Sequence, residues 1–254
     1  MLPSPPLTTF FMAAVLSVLL AAAHLGATAF ARSSPTWLRT FFVAAAVLVA
    51  YCGVLYSIAG TGALADFDSL PPSIGRLLIP IIVANVLISC VSSIGARLAT
   101  LPARTLVAFQ AFRFLPEAFL HLGYREGSLP AQMTWPPEGR NVDVLIAALA
   151  LGLALPPRPL PRAAVWAFAL LGLLSLLNVA YTSVRSLAHR IRPASFEPGL
   201  EMAAYPPYIL LPGLLVQLAL CGQLVLLRKL VTARPGIDDA SPAGAGDEDV
   251  RSMW

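Results

Sequence analysis

The chain has 254 residues, of which 57% are hydrophobic and only 12% charged, and its mean hydropathy is +0.76. Soluble domains carry about 25% charged residues, so this composition excludes an ordinary soluble domain and indicates an integral membrane protein. The apolar runs are continuous, whereas a transmembrane barrel would alternate apolar and polar residues. The net charge of +4 comes from cations placed singly at the ends of these runs, which is a topology signal and not a nucleic-acid patch.

The order of apolar runs predicts an all-α fold, an integral membrane bundle of about seven transmembrane helices in residues 1–231. Residues 232–254 mix acidic residues with Gly, Ala and Pro, and we expect this tail to be disordered. The seven helices are predicted at residues 10–30, 37–59, 77–98, 103–123, 143–155, 163–184 and 208–230.

The fifth predicted helix is short, because a proline-rich stretch stops it after about 13 residues, or roughly 20 Å of a ~30 Å hydrocarbon core. We expect the preceding loop, residues 128–142, to enter the bundle at membrane depth, where irregular backbone is tolerated if it lines a cavity. Asn141 would then cap the helix, with Asp143 in its first turn.

An odd number of spans places the termini on opposite sides, and the cations favour an outer N-terminus and a cytoplasmic C-terminus in the cell's inner membrane. Ten cations then lie inside: Arg32, Arg39, Arg97, Arg104, Arg158, Arg162, Arg228, Lys229, Arg234 and Arg251. Six lie outside: Arg76, Arg125, Arg140, Arg185, Arg190 and Arg192.

The fourth predicted helix and the loop after it carry an unusual set of polar residues. On the helix these residues lie three or four positions apart, which places them on one broad face. Ionisable residues inside a membrane face the interior of the bundle and pair there, so we predict a central polar site. Its members are Gln110, Arg113, Glu117, His121, Asn141 and Asp143.

Arg113 and Glu117 are four residues apart and can pair directly, either to pin helix packing or as part of a pathway or binding site. We expect the loop and the short helix to supply other partners for both residues. The loss of stability on replacing both Arg113 and Glu117 should then equal the sum of the two single losses. Pro116 frees the carbonyl of Phe112 for a ligand or a side chain. His121 either relays protons or is an interfacial histidine.

A secondary polar lining is predicted from single residues on the other helices: His24, Asn85, Asn178, Tyr181 and Gln217. His24 and His121 with Asp143 would make a two-histidine, one-carboxylate set, but no metal-binding spacing supports it, and we predict neither metal nor cofactor. The three cysteines lie in apolar runs as small hydrophobic residues.

The segments QAFRFLPE, LPAQMTW, EGRNVDVL and PPYILLPGLLV resemble a family of bacterial multi-pass membrane proteins with no assigned activity. The resemblance places the family's motif on Gln110, Arg113, Glu117, Pro130, Gly139, Asn141, Asp143 and Pro212. It also implies a common histidine where this chain has Gln223, a departure that counts against a histidine-ligated cofactor.

Three functions remain open. The first is non-enzymatic handling of a small molecule or proton by a carrier, sensor or accessory subunit, with a small molecule or anion at Arg113. The second is a membrane-embedded enzyme that acts on a lipid or isoprenoid with Glu117 or Asp143 as acid or base. The third is a structural protein with a buried ion pair. The absence of a recognisable nucleophile motif and of a credible metal set favours the first. The lipid bilayer is predicted as a partner in addition to the ligand at Arg113.

Overall fold

The structure, a computed structural model, describes residues 2–31 and 34–232, except for the side chain of Ser34. All regular structure in these residues is helical, as predicted from the apolar runs. Thr232 is the last residue of the final helix and the first residue of the predicted tail. The rest of the tail, residues 233–254, lies outside the described residues, as does Arg32.

The first two helices form an antiparallel hairpin, α1 (Pro5–Phe30) and α2 (Ser34–Gly60). Prolines in the first turn of α1 suit a helix start, because their fixed φ is helical and the missing N–H would be unpaired there anyway. One face of α1, which includes Phe11 and Val15, is buried in the core. Most of α2 is exposed apolar surface, which is typical of a helix that faces lipid.

The third predicted helix is broken into α3 (Ser73–Cys90) and α4 (Ser93–Leu98). The side chain of Ser92 accepts hydrogen bonds from the backbone amides of Ile94 and Gly95, at 3.1 and 3.3 Å, and so starts a new helix. A Cβ at Gly95 would overlap the carbonyl oxygen of Ser89, so the sharp turn requires glycine. The prediction of one helix over residues 77–98 was wrong because it overlooked this cap.

The next three passes surround the polar residues. A 3₁₀ turn (Gln110–Arg113) joins α5 (Ala103–Phe109) to α6 (Phe114–Arg125), so that residues 103–125 form one continuous helical stretch. A loop leads to the short α7 (Asp143–Ala154), and α8 (Arg162–Leu187) follows. The short helix is thus observed where it was predicted.

The last pass begins with a π-helical turn, Leu211–Leu215, and continues as α9 (Val216–Thr232). The hydroxyl of Tyr51 donates a hydrogen bond of 2.7 Å to the carbonyl of Gly213 within the turn. Single π-helical turns inside helices frequently lie at functional sites, because they redirect side chains at one level of the helix.

The helical segments alternate in direction between two ends of the bundle. At the N-terminal end, the backbone amide of Ser4 donates to the Glu126 carboxylate at 3.0 Å, and that of His189 donates to the carbonyl of Phe67 at 3.1 Å. At the C-terminal end, Lys229 donates to the carbonyl of Ala99 at 3.2 Å. The two described termini therefore lie at opposite ends.

Within residues 2–31 and 34–232, five helices are long and apolar enough to cross a membrane: α1, α2, α3, α8 and the segment Leu211–Thr232. The remaining two of the seven predicted spans correspond to the stretch α5–α6, which contains a 3₁₀ turn, and to the short α7. The structure thus shows a helical, membrane-like bundle, while seven spans and the N-out orientation stay predictions.

Cations at the C-terminal end mostly satisfy the last carbonyls of helices. Arg104 donates to the carbonyl of Ala154 at 2.7 Å at the end of α7, and Arg228 donates to the carbonyl of Ser89 at 3.2 Å in the last turn of α3. Helix C-termini favour cations, because their free carbonyls carry partial negative charge. Some of the arginines counted as topology signals therefore also bind free carbonyls at the C-termini of helices.

Candidate functional site

The polar site forms where α7 begins inside the bundle. Asp143, the first residue of α7, accepts a hydrogen bond of 3.3 Å from Nη1 of Arg113 and another from Ser175 Oγ. Arg113 lies midway along the stretch 103–125, and Ser175 lies midway along α8. Asp143 is therefore at the mid-depth of these helices, and the polar backbone before it lies inside the bundle.

Arg113 is one of the largest side chains buried in the described part of the bundle, with 1% of its surface exposed. Besides Asp143, it donates a hydrogen bond of 3.4 Å from Nη2 to the carbonyl of Gly172 on α8. Its Nε atom is buried and has no hydrogen-bond partner among the described residues. A buried guanidinium needs an opposite charge, and Asp143 supplies it.

Glu117 is paired through the loop and not with Arg113. Its Oε1 accepts a hydrogen bond of 2.7 Å from the side-chain amide of Asn141, and its Oε2 is buried with no partner among the described residues. The side-chain oxygen of Asn141 accepts from the backbone N–H of Asp143 at 3.1 Å. Asn141 thus accepts from the first backbone amide of α7 and links Glu117 to the backbone of Asp143, although the N-cap position predicted for Asn141 is held by Val142.

The loop that carries Asn141 is packed tightly against itself. The backbone amide of Asn141 donates to the carbonyl of Thr134 at 3.0 Å, and both residues are buried. A Cβ at Gly139 would overlap the carbonyl oxygens of Thr134 and Ala131. Glycine is therefore required at position 139 for the loop to fold back and present Asn141 to Glu117.

Two members of the predicted central site lie away from the carboxylates. Gln110 is fully buried beside Gly222, and its Nε2 donates to the carbonyl of Ala219 on α9 at 3.4 Å. His121 shares a hydrogen bond of 2.9 Å with Thr134 and stacks on Trp135, with ring centroids 4.1 Å apart. Both contacts belong to packing around the site.

The predicted secondary lining does not form one surface. Asn85 donates to the backbone and side-chain oxygens of Gln217, at 2.7 and 3.2 Å, and joins α3 to α9. Asn178 donates to the carbonyl of Arg140 at 2.7 Å and fixes the end of the loop. These contacts tie helices and loop together around the site.

Two members of that lining face outward, and their assignment to it was wrong. His24 is exposed and packs edge-on against the ring of Trp37, while 59% of Tyr181 is exposed. On α1 the small and polar residues that share a face with His24 are exposed as well: Ser17, Ala21 and Thr28. On α8 the polar face turns outward from buried Ser175 to exposed Tyr181. The histidine pair considered for a metal is not assembled, because His24 lies near the end of α1, whereas His121 lies in the last turns of α6, next to the start of α1.

A cavity of about 350 Å³ lies beside the polar site. Its wall comes from α3, the α5–α6 stretch, α8, the start of the last pass and the loops at the N-terminal end. The polar residues in this wall are Arg113, Glu117, Asp143, Ser183 and Gln217, and the rest of the wall is apolar or glycine. Sequence patterns gave no sign of the cavity, because most of its wall is apolar, as is most of the chain.

The cavity opens on the side of the bundle between α3 and α8. Ile79 and Ile82 on α3 and Val184 on α8 form part of its wall, and 51%, 38% and 49% of their surfaces are exposed. Both helices are among those long and apolar enough to cross a membrane. The mouth is therefore bordered by apolar side chains on helices of membrane-spanning length.

An ion-pair network covers the cavity at the N-terminal end, outside the apolar helices. Arg192 pairs with Glu201 and, at 2.8 Å, with Glu197, and His189 lies 3.2 Å from Glu201 and 3.3 Å from Asp68. Burial alone would raise the pKa of Glu201, but the hydrogen bonds from Arg192, a backbone amide and His189, together with the charge of Arg192, outweigh it and lower that pKa. Neighbouring loop residues close this end of the cavity: Leu70, Pro71, Pro72, Leu200 and Ala203.

The model of a family described as Domain of unknown function (DUF8737) matches residues 72–231, more than half of the chain. The chain belongs to this family. The DUF8737 region contains the polar site and the whole cavity wall except Leu70 and Pro71, while α1 and α2 precede it. No curated protein and no solved structure matches the chain.

Proposed function

We propose that this DUF8737 protein is a seven-span membrane protein that binds one amphiphilic molecule from the bilayer. The apolar chain of that molecule occupies the cavity, and its polar head lies against Asp143, Arg113 and Glu117. The observation that carries this proposal is a cavity whose apolar wall ends at three ionisable groups. Such a protein serves as a carrier, a sensor or an accessory subunit.

The dimensions and the lining support this function. Small-molecule sites occupy roughly 300–1,000 Å³ and combine apolar walls with a few convergent polar groups. The cavity of about 350 Å³ falls in that range. A water-soluble metabolite would make few favourable contacts with this apolar wall. An alkyl or isoprenoid chain, in contrast, gains about 0.8 kcal/mol of binding free energy for each buried CH₂ group.

The mouth between α3 and α8 supports entry from the bilayer. Its bordering residues Ile79, Ile82 and Val184 are apolar and exposed, and an amphiphile reaches them without leaving hydrocarbon. A purely structural ion pair needs neither a cavity nor an open mouth, so this arrangement favours binding over packing alone.

A second candidate function is acid–base catalysis on the bound lipid, and the presence of two carboxylates in the cavity wall favours it. Glu117 or Asp143 would be the acid or base. Carboxylate pairs serve in this way in glycoside hydrolysis. If the protein only binds, a bound probe should be recovered chemically unchanged, and a mass shift in the recovered probe would indicate catalysis.

Binding is tested with the full chain purified in detergent and three probes of equal chain length: 1-hexadecanol, hexadecylamine and 1-hexadecanesulfonate. At least one should saturate at one molecule per chain. At about 100 times its Kd it should stabilise the fold by about 2.7 kcal/mol. If all three only partition as they do into empty micelles, the binding function is wrong.

A further inference from the structure

We propose that the head group bound in this cavity is a hydroxyl, so that the ligand is a long-chain or isoprenoid alcohol and not an anion. This inference rests on the proposed binding function and concerns which amphiphile the site selects. Two features of the polar end carry it, the balance of charge and the set of hydrogen-bonding atoms without partners.

The charge balance disfavours an anionic head. Arg113 is the only cation among the described residues that line the cavity, and Asp143 already pairs with it at 3.3 Å. Glu117 adds a second carboxyl group to the same wall. The three groups sum to −1, or to 0 if Glu117 is protonated, so no positive charge is left over. A buried anion without a compensating charge is strongly unfavourable.

The unpartnered atoms include both a donor and acceptors. Nε of Arg113 is a donor and Oε2 of Glu117 is an acceptor, and neither has a partner in the part of the chain that the structure describes. The Asp143 side chain is 10% exposed, and its Oδ1 already accepts from Arg113 and Ser175. Asp143 Oδ2, which makes no hydrogen bond within the described ranges, is free to accept another.

A hydroxyl fits this set because one oxygen both donates and accepts. Its hydrogen can go to a carboxylate of Asp143 or Glu117, while its lone pairs accept from Arg113 Nε. Arg113 and Glu117 are four residues apart, a spacing that brings Cβ atoms within about 5–6 Å on a helix. Both side chains line the cavity, but their unpartnered atoms are covered in this structure, so a hydroxyl reaches them once the two side chains change rotamer.

The other two head groups leave atoms unpaired. A sulfonate cannot donate to either carboxylate and adds a negative charge beside them. A protonated amine donates but cannot accept, so it leaves Arg113 Nε unpaired, and its charge is compensated only if Glu117 is ionised. Each buried polar group left without a partner costs about 1–3 kcal/mol.

The three 16-carbon probes, measured at pH 7 on the full chain in one detergent, test this selection. 1-Hexadecanol should bind at least about ten-fold more tightly than 1-hexadecanesulfonate and more tightly than hexadecylamine. If the sulfonate or the amine binds as tightly as the alcohol, the hydroxyl assignment is wrong and the binding function stands. If no probe saturates, the binding function itself is wrong.

The variant Asp143→Asn sharpens the test, because it removes one negative charge and keeps an oxygen to accept from Ser175. Binding of 1-hexadecanesulfonate should tighten, because Arg113 then has no ionic partner on α7, and the preference for the alcohol should shrink. An unchanged preference in a folded variant would contradict the charge argument. If the variant fails to fold, the order of the probes on the wild-type chain still decides.

Discussion

Replacing Arg113 with methionine and Asp143 with asparagine should show strong coupling between the two residues. The single change Arg113→Met leaves the Asp143 carboxylate buried without its cation, and removing one partner of a buried pair costs about 3–5 kcal/mol. The double variant should be more stable than the sum of the single changes predicts, by about 1–3 kcal/mol. The free energies of unfolding are measured in detergent.

The matched control for this cycle is Arg113→Met combined with Glu117→Gln. Glu117 is hydrogen-bonded to Asn141 at 2.7 Å and not to Arg113, so the two costs should come closer to simple addition. A larger coupling for Arg113 with Glu117 than with Asp143 would mean that the pair forms within one helix. It would contradict the pairing across the bundle.

The change Gly139→Ala should destabilise the protein by about 1–3 kcal/mol, the usual cost of forcing extra atoms into a packed site. The new Cβ would overlap the carbonyl oxygens of Thr134 and Ala131, which are backbone atoms and cannot move aside alone. The loop would shift and withdraw Asn141 from Glu117. Thermal unfolding in detergent measures the loss.

The matched control is Gly152→Ala on α7, where a new Cβ meets nothing within 4 Å. Alanine is favoured over glycine inside a helix by about 0.5–1 kcal/mol, so this change should be neutral or stabilising. Equal losses at positions 139 and 152 would contradict the tight fold of the loop.

The helices were largely predictable because each apolar run is long and ends at Pro, Gly or charged residues. The short α7 and the entry of its preceding loop into the bundle followed from length alone, since about 13 residues cannot cross the hydrocarbon core. The break at Ser92 was missed, because a run of apolar and small residues hides a cap that only the backbone geometry reveals.

The members of the site were predictable, but their pairing was less so. Arg113, Glu117 and Asp143 stand out as ionisable residues inside apolar runs. The spacing of Arg113 and Glu117 predicts a direct pair as readily as separate partners, and Ser175 carries no signal beyond being a small polar residue on α8. Contacts between distant segments, such as Arg113 with Asp143, depend on packing that local patterns do not encode.

The cavity could not be predicted, since most wall residues outside the polar end are apolar, as is most of the chain. The sequence also did not reveal which polar side chains are exposed. Tyr181 and His24 were predicted to face inward from their spacing with other polar residues, but they lie on surfaces that face outward. Helical spacing gives the angle between side chains and not which face the neighbouring helices cover.

The most direct test of cavity binding is to block its mouth and measure the binding of 1-hexadecanol. Ala180 is exposed on α8 and forms part of the cavity wall, whereas Ala167 is exposed on the same helix away from that wall. Ala180→Trp should weaken binding by at least about ten-fold, or 1.4 kcal/mol, and Ala167→Trp should bind as the wild type does. Equal binding by the two variants would contradict a ligand site in this cavity.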